Sequence, residues 1–150
     1  MPIAPETATF VDVGSGMGRM VILAARRPFR RIVGVEISPA LHEIARANLA
    51  RYDDPRRQCR DIRLVRADAS AFEYPGGDLA VYLYNPFRAN VLEALLERLL
   101  IRPDRTVTIL YHTPMERKVI EATGRFDAVM DLGYAVVYVS RPGAPSEPNW

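Results

Sequence analysis

Four short stretches of this 150-residue chain carry residue types whose spacing could do chemistry. The first is Asp12-Val13-Gly14-Ser15-Gly16-Met17-Gly18, a loop with glycine at every second position between two apolar runs. Glu36 stands eighteen residues beyond Gly18, Asp68-Ala69 follows, and Tyr84-Asn85-Pro86-Phe87 comes last. A glycine turn that opens into a helix leaves backbone N–H groups free for an anionic group. Carboxylates such as Glu36 and Asp68 accept from hydroxyl and amino donors, and the Asn85 side-chain carbonyl accepts from an amine or amide N–H. Together these stretches point to a nucleotide-like ligand beside a polar reaction edge. A glycine loop on its own can also serve only tight packing.

These stretches need strand ends to hold them. Ala8 to Val13 reads as a buried strand, Met20 to Ala25 as an apolar helical segment, and Arg31 to Ile37 as a second strand. Ser38 is placed to cap a helix that starts at Pro39, with Leu41, Ile44, Ala45 and Leu49 near one face. Asp61 to Ala67 and Leu79 to Tyr84 give strands three and four. An apolar stripe of Val91, Leu92, Leu95, Leu96, Leu99 and Leu100 marks the next helix. Thr106 to Tyr111 is a fifth strand and Pro114 to Ala122 a further helix. Phe126 to Asp131 and Tyr134 to Ser140, joined by Leu132 and Gly133, predict a closing antiparallel hairpin. Strands alternating with helices mean βαβ units. The expected fold class is α/β, one doubly wound, mainly parallel seven-stranded sheet with an antiparallel C-terminal strand and helices on both faces. The core domain is expected over 1–140, with a proline-rich tail at 141–150. Each functional stretch then falls at the carboxyl end of a strand, where such sheets bind ligands.

Composition narrows the setting. Half hydrophobic and a quarter charged, the chain has the balance of a globular domain. Its net charge of +2 is too small to point to nucleic acid, and all but one of its 20 basic residues are Arg, the exception being Lys118. The single cysteine, Cys59, excludes an internal disulfide and fits a reducing, cytoplasmic setting. The N-terminus lacks the basic and apolar regions of a signal peptide, and no apolar run has the roughly 20 residues a membrane helix needs. No metal site and no membrane partner are expected.

The glycine spacing separates two nucleotide classes. A dinucleotide fingerprint, GxGxxG, needs a small residue at position 19, where this chain has Arg19. From Thr9 to Ser140 the chain instead resembles the class I, seven-stranded S-adenosylmethionine (SAM)-dependent methyltransferases. FVDVGSGMGR matches that family's first motif, GVEIS the second, RADA the third and YNPF the fourth. The resemblance implies an enzyme that uses SAM and releases S-adenosyl-L-homocysteine (SAH). It implies that Gly14, Gly16 and Gly18 let the backbone approach the methionine portion and that Asp12 orients its amino group. By the same resemblance Glu36 binds the ribose, Ile37 packs on the adenine, Asp68 accepts from the adenine amino group, and the Ala69 backbone meets the ring edge.

The catalytic residues implied are Asn85, Pro86 and Phe87. YNPF is similar to the Asn-Pro-Pro-aromatic motif of methyltransferases that act on planar nitrogens. It departs from that motif at Phe87, in the place of the second proline, and at Arg88, in the place of the aromatic residue. The first half also resembles the seven-stranded histone-lysine methyltransferases; their N-terminal recruiting region is expected to be absent, and a histone-like substrate is not expected. Arg19, Arg88, Tyr111 and His112 are expected on the same edge, with Tyr82 and Tyr84 serving the core. The arginines at 26, 27, 30, 31, 51, 56, 57, 60, 63 and 66, interleaved with Asp53, Asp54 and Asp61, are expected opposite that edge as a solvated face rather than an RNA-docking one. With strand one beginning near residue 8, the helices that usually cover the substrate are expected to be missing. The site is then expected to be open, to be closed by a partner or a second copy of the chain, or to belong to a catalytic module detached from its recognition elements; the sequence does not identify the acceptor. Two other readings stand beside the methyltransferase: a SAM-binding partner or sensor without catalysis, and an NAD-dependent oxidoreductase.

Overall fold

The strands pair in the order β3-β2-β1-β4-β5-β7-β6, the doubly wound sheet expected from the sequence. They are β1 Thr9–Val13, β2 Arg31–Glu36, β3 Ile62–Arg66, β4 Leu79–Tyr84, β5 Val107–His112, β6 Phe126–Asp131 and β7 Ala135–Ser140. The helices are α1 Arg19–Ala24, α2 Pro39–Arg51, α3 Ala89–Leu99 and α4 Arg117–Ala122. This is a computed structural model, and it describes residues 3–84 and 87–143. Most of the proline-rich tail, including Trp150, and the residues Asn85 and Pro86 lie outside the described residues.

Strands β1 to β5 run parallel, and β7 inserts antiparallel between β5 and β6. The chain order reverses between β1 and β4, so the β1, β2 and β4 carboxyl ends open onto one crevice. Alternation along the strands sorts the core. Val11, Val13, Leu79, Val81, Leu83, Val107 and Ile109 pack with Leu92, Leu95, Leu96 and Leu99 of α3 and Ile120 of α4. On the opposite face Ile32 and Ala80 pack with Val21 and Ala24 of α1.

The two helices that flank the crevice differ in how they are held. Ser38 caps α2 as expected, its Oγ accepting from the Leu41 N–H at 3.3 Å with Pro39 at the first position. The predicted apolar face of α2 is only partly used. Ala45 is buried, whereas Leu41 and Ile44 are exposed. The reason is close approach: a Cβ added to Gly18 would lie 3.3 Å from the Ala45 Cβ, so small residues bring this helix onto the glycine loop. The α3 stripe is buried as predicted. At its far end the buried Arg105 guanidinium donates to the carbonyls of Leu99, Pro75 and Arg98, completing the helix terminus with a positive charge. The β6–β7 joint spans 132–134, one residue longer than expected, with Gly133 at φ 81° and its N–H donating to Asp131. No described helix is long and apolar enough to cross a membrane.

Candidate functional site

The glycine loop begins by anchoring itself to the neighbouring strand: the Gly14 and Ser15 N–H groups both donate to the Val35 carbonyl, at 2.8 and 3.0 Å. Gly14 (φ 72°) and Gly18 (φ 87°) adopt the left-handed conformation that a side chain disfavours, and Gly18 forms the start of α1 with no side-chain cap. Gly34 on β2 serves this loop indirectly. A Cβ there would meet Leu64, Ser15 and Val21, each at 3.0 Å.

Glu36, at the end of β2, is buried and ties the crevice together. Its Oε1 accepts from the Gly16 N–H and its Oε2 from the Ser38 N–H, both at 2.9 Å. One carboxylate therefore joins the glycine loop to the α2 cap. Each oxygen still has acceptor capacity for a ligand hydroxyl. Asp68, after β3, folds into a local turn whose Oδ1 accepts from the Ser70 N–H at 2.9 Å and the Ser70 hydroxyl at 2.7 Å. Those hydrogen bonds hold its carboxyl below the ordinary value of 3.8. The adjoining Ala69 carbonyl accepts from the buried Tyr74 hydroxyl at 2.7 Å, which fixes this loop to the core.

These groups enclose a cavity of about 420 Å³, within the range of small-molecule sites. Gly14, Glu36, Ile37, Asp68, Ala69 and Phe87, all singled out from the sequence, line it together with Val35, Ala67, Ser70 and Val91. Phe87 is the wall opposite the loop: a Cβ on Gly14 would lie 3.5 Å from its Cζ. Two carboxylates, an exposed Ile37 and a half-buried aromatic ring suit a ligand that combines hydroxyl and amino donors with a flat ring. Gly16 and Gly18 are not among its lining residues; Gly16 is tied to it through the N–H that it donates to Glu36. Asp12 lies outside it, on the β1 register partner of Gly34 and Tyr82. It is 3% exposed; burial, with the Glu36 charge adding to it, pushes its pKa up to about 7.

Several expectations about the edge change. Tyr111 is buried, and its hydroxyl accepts from the Glu116 N–H at 3.1 Å, so it belongs to the core. Tyr84 does not belong to the core. It is 53% exposed and stacks on His112, with ring centroids 5.0 Å apart and planes 18° apart. Val91 and Ser70 were not singled out. Ser70 two residues after Asp68 was a readable turn signal, whereas Val91 was hidden in a stripe that reads as core. Opposite the site, Arg56 grips Asp54 with two hydrogen bonds of 3.0 Å while Arg26 reaches the same carboxylate. Asp61 likewise takes Arg31 at 2.9 Å and Arg63 at 3.2 Å. Arg66 departs from that group: it pairs in register with Glu36, at the carboxyl end of the sheet.

Residues 10–101 match the family model described as a methyltransferase domain. No curated protein sequence matches the chain. Among solved structures, the ribosomal protein L11 methylase of Lactobacillus delbrueckii subsp. bulgaricus has a TM-score of 0.62 at 21% identity, covering 90% of this chain and 70% of that one. The Escherichia coli protein yhhF gives 0.68 at 17% identity, over 95% of this chain and 80% of its own. An rRNA methylase from Streptococcus thermophilus gives 0.62 at 11% identity, over 95% and 91%. At these identities the structural likeness is one of fold.

Proposed function

The chain belongs to the class I SAM-dependent methyltransferases, and from that premise we propose that it binds SAM in the 420 Å³ cavity and methylates a nitrogen presented beside Asn85. The observation that supports this most is the joining of Glu36 to Gly16 and Ser38 around a cavity that Asp68 and Phe87 complete. Glu36 holds the ribose hydroxyls with the acceptor capacity left on its oxygens. Ile37 and Phe87 pack on the adenine, Asp68 accepts from its amino group, and the Ala69 backbone meets its edge. Gly14 and Gly16 give the methionine portion access to the loop backbone. Asp12, as its carboxylate, orients the ammonium group through an intervening water. When bound, SAM supplies a methyl group activated by its sulfonium.

What the chain adds is position. The Asn85 side-chain carbonyl accepts from the acceptor's N–H and so aims the nitrogen lone pair along the displacement axis, the kind of alignment that can supply much of a transfer rate. Asn85 is followed in the sequence by proline, a residue type that narrows the backbone choices of the residue before it, and Phe87 lines the cavity. The test separates binding from transfer. Asn85→Ala is expected to bind SAH like the unaltered protein and to lose methyl transfer from tritiated SAM to a cell extract. If Asn85→Ala lost SAH binding as well, the division into cofactor and acceptor roles would be wrong.

A further inference from the structure

We propose that Tyr84, His112 and Tyr134 form a stacking platform for a planar heteroaromatic acceptor, so that the methylated nitrogen belongs to, or hangs from, a nucleobase-like ring. This rests on the methyltransferase reading above. Three aromatic side chains from three separate elements meet at the carboxyl edge of β4 and β5. Tyr84 and His112 are register partners and stack nearly parallel at 5.0 Å. Tyr134, in the β6–β7 joint, leans on His112 with centroids 5.9 Å apart and planes at 60°. Tyr84 is 53% and Tyr134 64% exposed, so two ring faces that water disfavours are presented rather than packed away.

The arrangement is held rigidly from behind. His112 Nδ1 is 3.0 Å from the Thr113 hydroxyl, and the Thr113 N–H donates to the Tyr134 carbonyl at 2.7 Å. Thr113 adopts φ 53°, a left-handed conformation that a β-branched residue enters only under constraint. Strain of this kind, at the residue that follows half-buried His112 and bonds the Tyr134 backbone, marks a place where shape is being imposed. The 2.7 Å bond sets the joint against the end of β5, and that fixes Tyr134 relative to His112.

Position along the chain gives the platform its meaning. Tyr84 immediately precedes Asn85, and Phe87 follows two residues after it. Phe87 lines the cofactor cavity, facing Gly14. Tyr84, whose side chain is exposed, is thus the aromatic residue beside Asn85 in the sequence, and its stacking on His112 extends that surface. Stacking on such a surface is tolerant of ring identity, because every base has a π-face. It therefore selects flat acceptors over aliphatic amines or lysine side chains.

The chain has two histidines, His42 on α2 and His112, so the ring carbon–proton signals of the second can be followed by NMR with the first as internal control. Protein saturated with SAH, as checked by calorimetry, is titrated with adenosine, with ribose, and with a short single-stranded oligoadenylate. The occupied cofactor site keeps adenosine from reporting on it. The expected result is a saturable upfield shift of the His112 ring signals with adenosine and none with ribose, His42 staying still. Tyr84→Leu and Tyr134→Leu should each weaken that response at least tenfold while SAH binding is unchanged. Tighter binding of the oligoadenylate would place the ring in a single strand, and equal binding would place it in a free nucleoside; both support the platform. Stationary His112 signals in SAH-loaded protein, an equal response to ribose, or an unaffected Tyr84→Leu variant would overturn it. Failure to bind SAH at all would count against the cofactor reading instead.

Discussion

Asp12 sits on β1 with 3% exposure, and burial, reinforced by the Glu36 charge, raises its pKa from 3.8 to about 7. A carboxyl whose folded pKa lies above its unfolded value favours the native state when protonated. Its stabilising preference is fully present below the unfolded pKa and is lost as pH rises through the folded one. Between those limits the unfolded chain is ionised while the native chain holds its proton, so stability falls with rising pH. At about 1.4 kcal/mol per unit, the whole window amounts to roughly 4 kcal/mol, of which about 2 kcal/mol falls between pH 5.5 and 8. Asp12→Asn removes the titration. Whatever a buried amide costs at this position, that offset is the same at both pH values. The difference between variant and unaltered protein isolates the carboxyl, since other titrating groups are common to both. Urea unfolding at pH 5.5 and 8 is the assay. Asp12→Asn should gain about 2 kcal/mol relative to the unaltered protein on going from the lower to the higher pH. Parallel stability curves for the two proteins would show that Asp12 ionises normally, and the account of its burial would fail.

The same carboxyl carries a binding prediction. SAH affinity should rise with pH up to about 7 and level off above it, because ionised Asp12 attracts the ligand's ammonium group through the proposed water; calorimetry in buffers of different ionisation enthalpy should then show a proton released on binding at pH 6. Arg105→Met leaves two carbonyls at the end of α3 and that of Pro75 without their donor and should cost about 2–3 kcal/mol in urea unfolding, with SAH affinity retained. Gly34→Ala places a Cβ at 3.0 Å from Leu64, Ser15 and Val21. It should destabilise by about 1–3 kcal/mol and also weaken SAH binding, since Ser15 belongs to the loop. Ser38→Ala should cost about 1 kcal/mol through the lost α2 cap, read from thermal unfolding.

How far the sequence could be read depended on whether one rule governed a position. The order of strands and helices, the Ser38 cap and the α3 stripe were legible because period, capping chemistry and burial all point the same way there. The α2 face was misread because Leu41 and Ile44 fit a helical period, yet the Gly18–Ala45 approach decides which side packs. Of the candidate site, Glu36, Asp68 and the glycines were legible as polar or small residues at strand ends. Their joining was not, since the Glu36 link to Gly16 and Ser38 spans residues far apart in sequence. Tyr84 and His112 looked like separate residues, one of the core and one of the functional edge. Only the register of β4 on β5 brings them together.

The central claim is that Glu36 and its partners form a SAM site. Calorimetric titration of the purified protein with SAH, beside its Glu36→Ala variant, tests it most directly. The account predicts saturable one-to-one binding with a dissociation constant on the order of micromolar, a level at which one lost carboxylate is readily seen. It predicts that Glu36→Ala lowers that affinity at least tenfold, since both the ribose acceptor and the tie between Gly16 and Ser38 are removed. Absence of heat from the unaltered protein, or equal affinity in the Glu36→Ala variant, would contradict it.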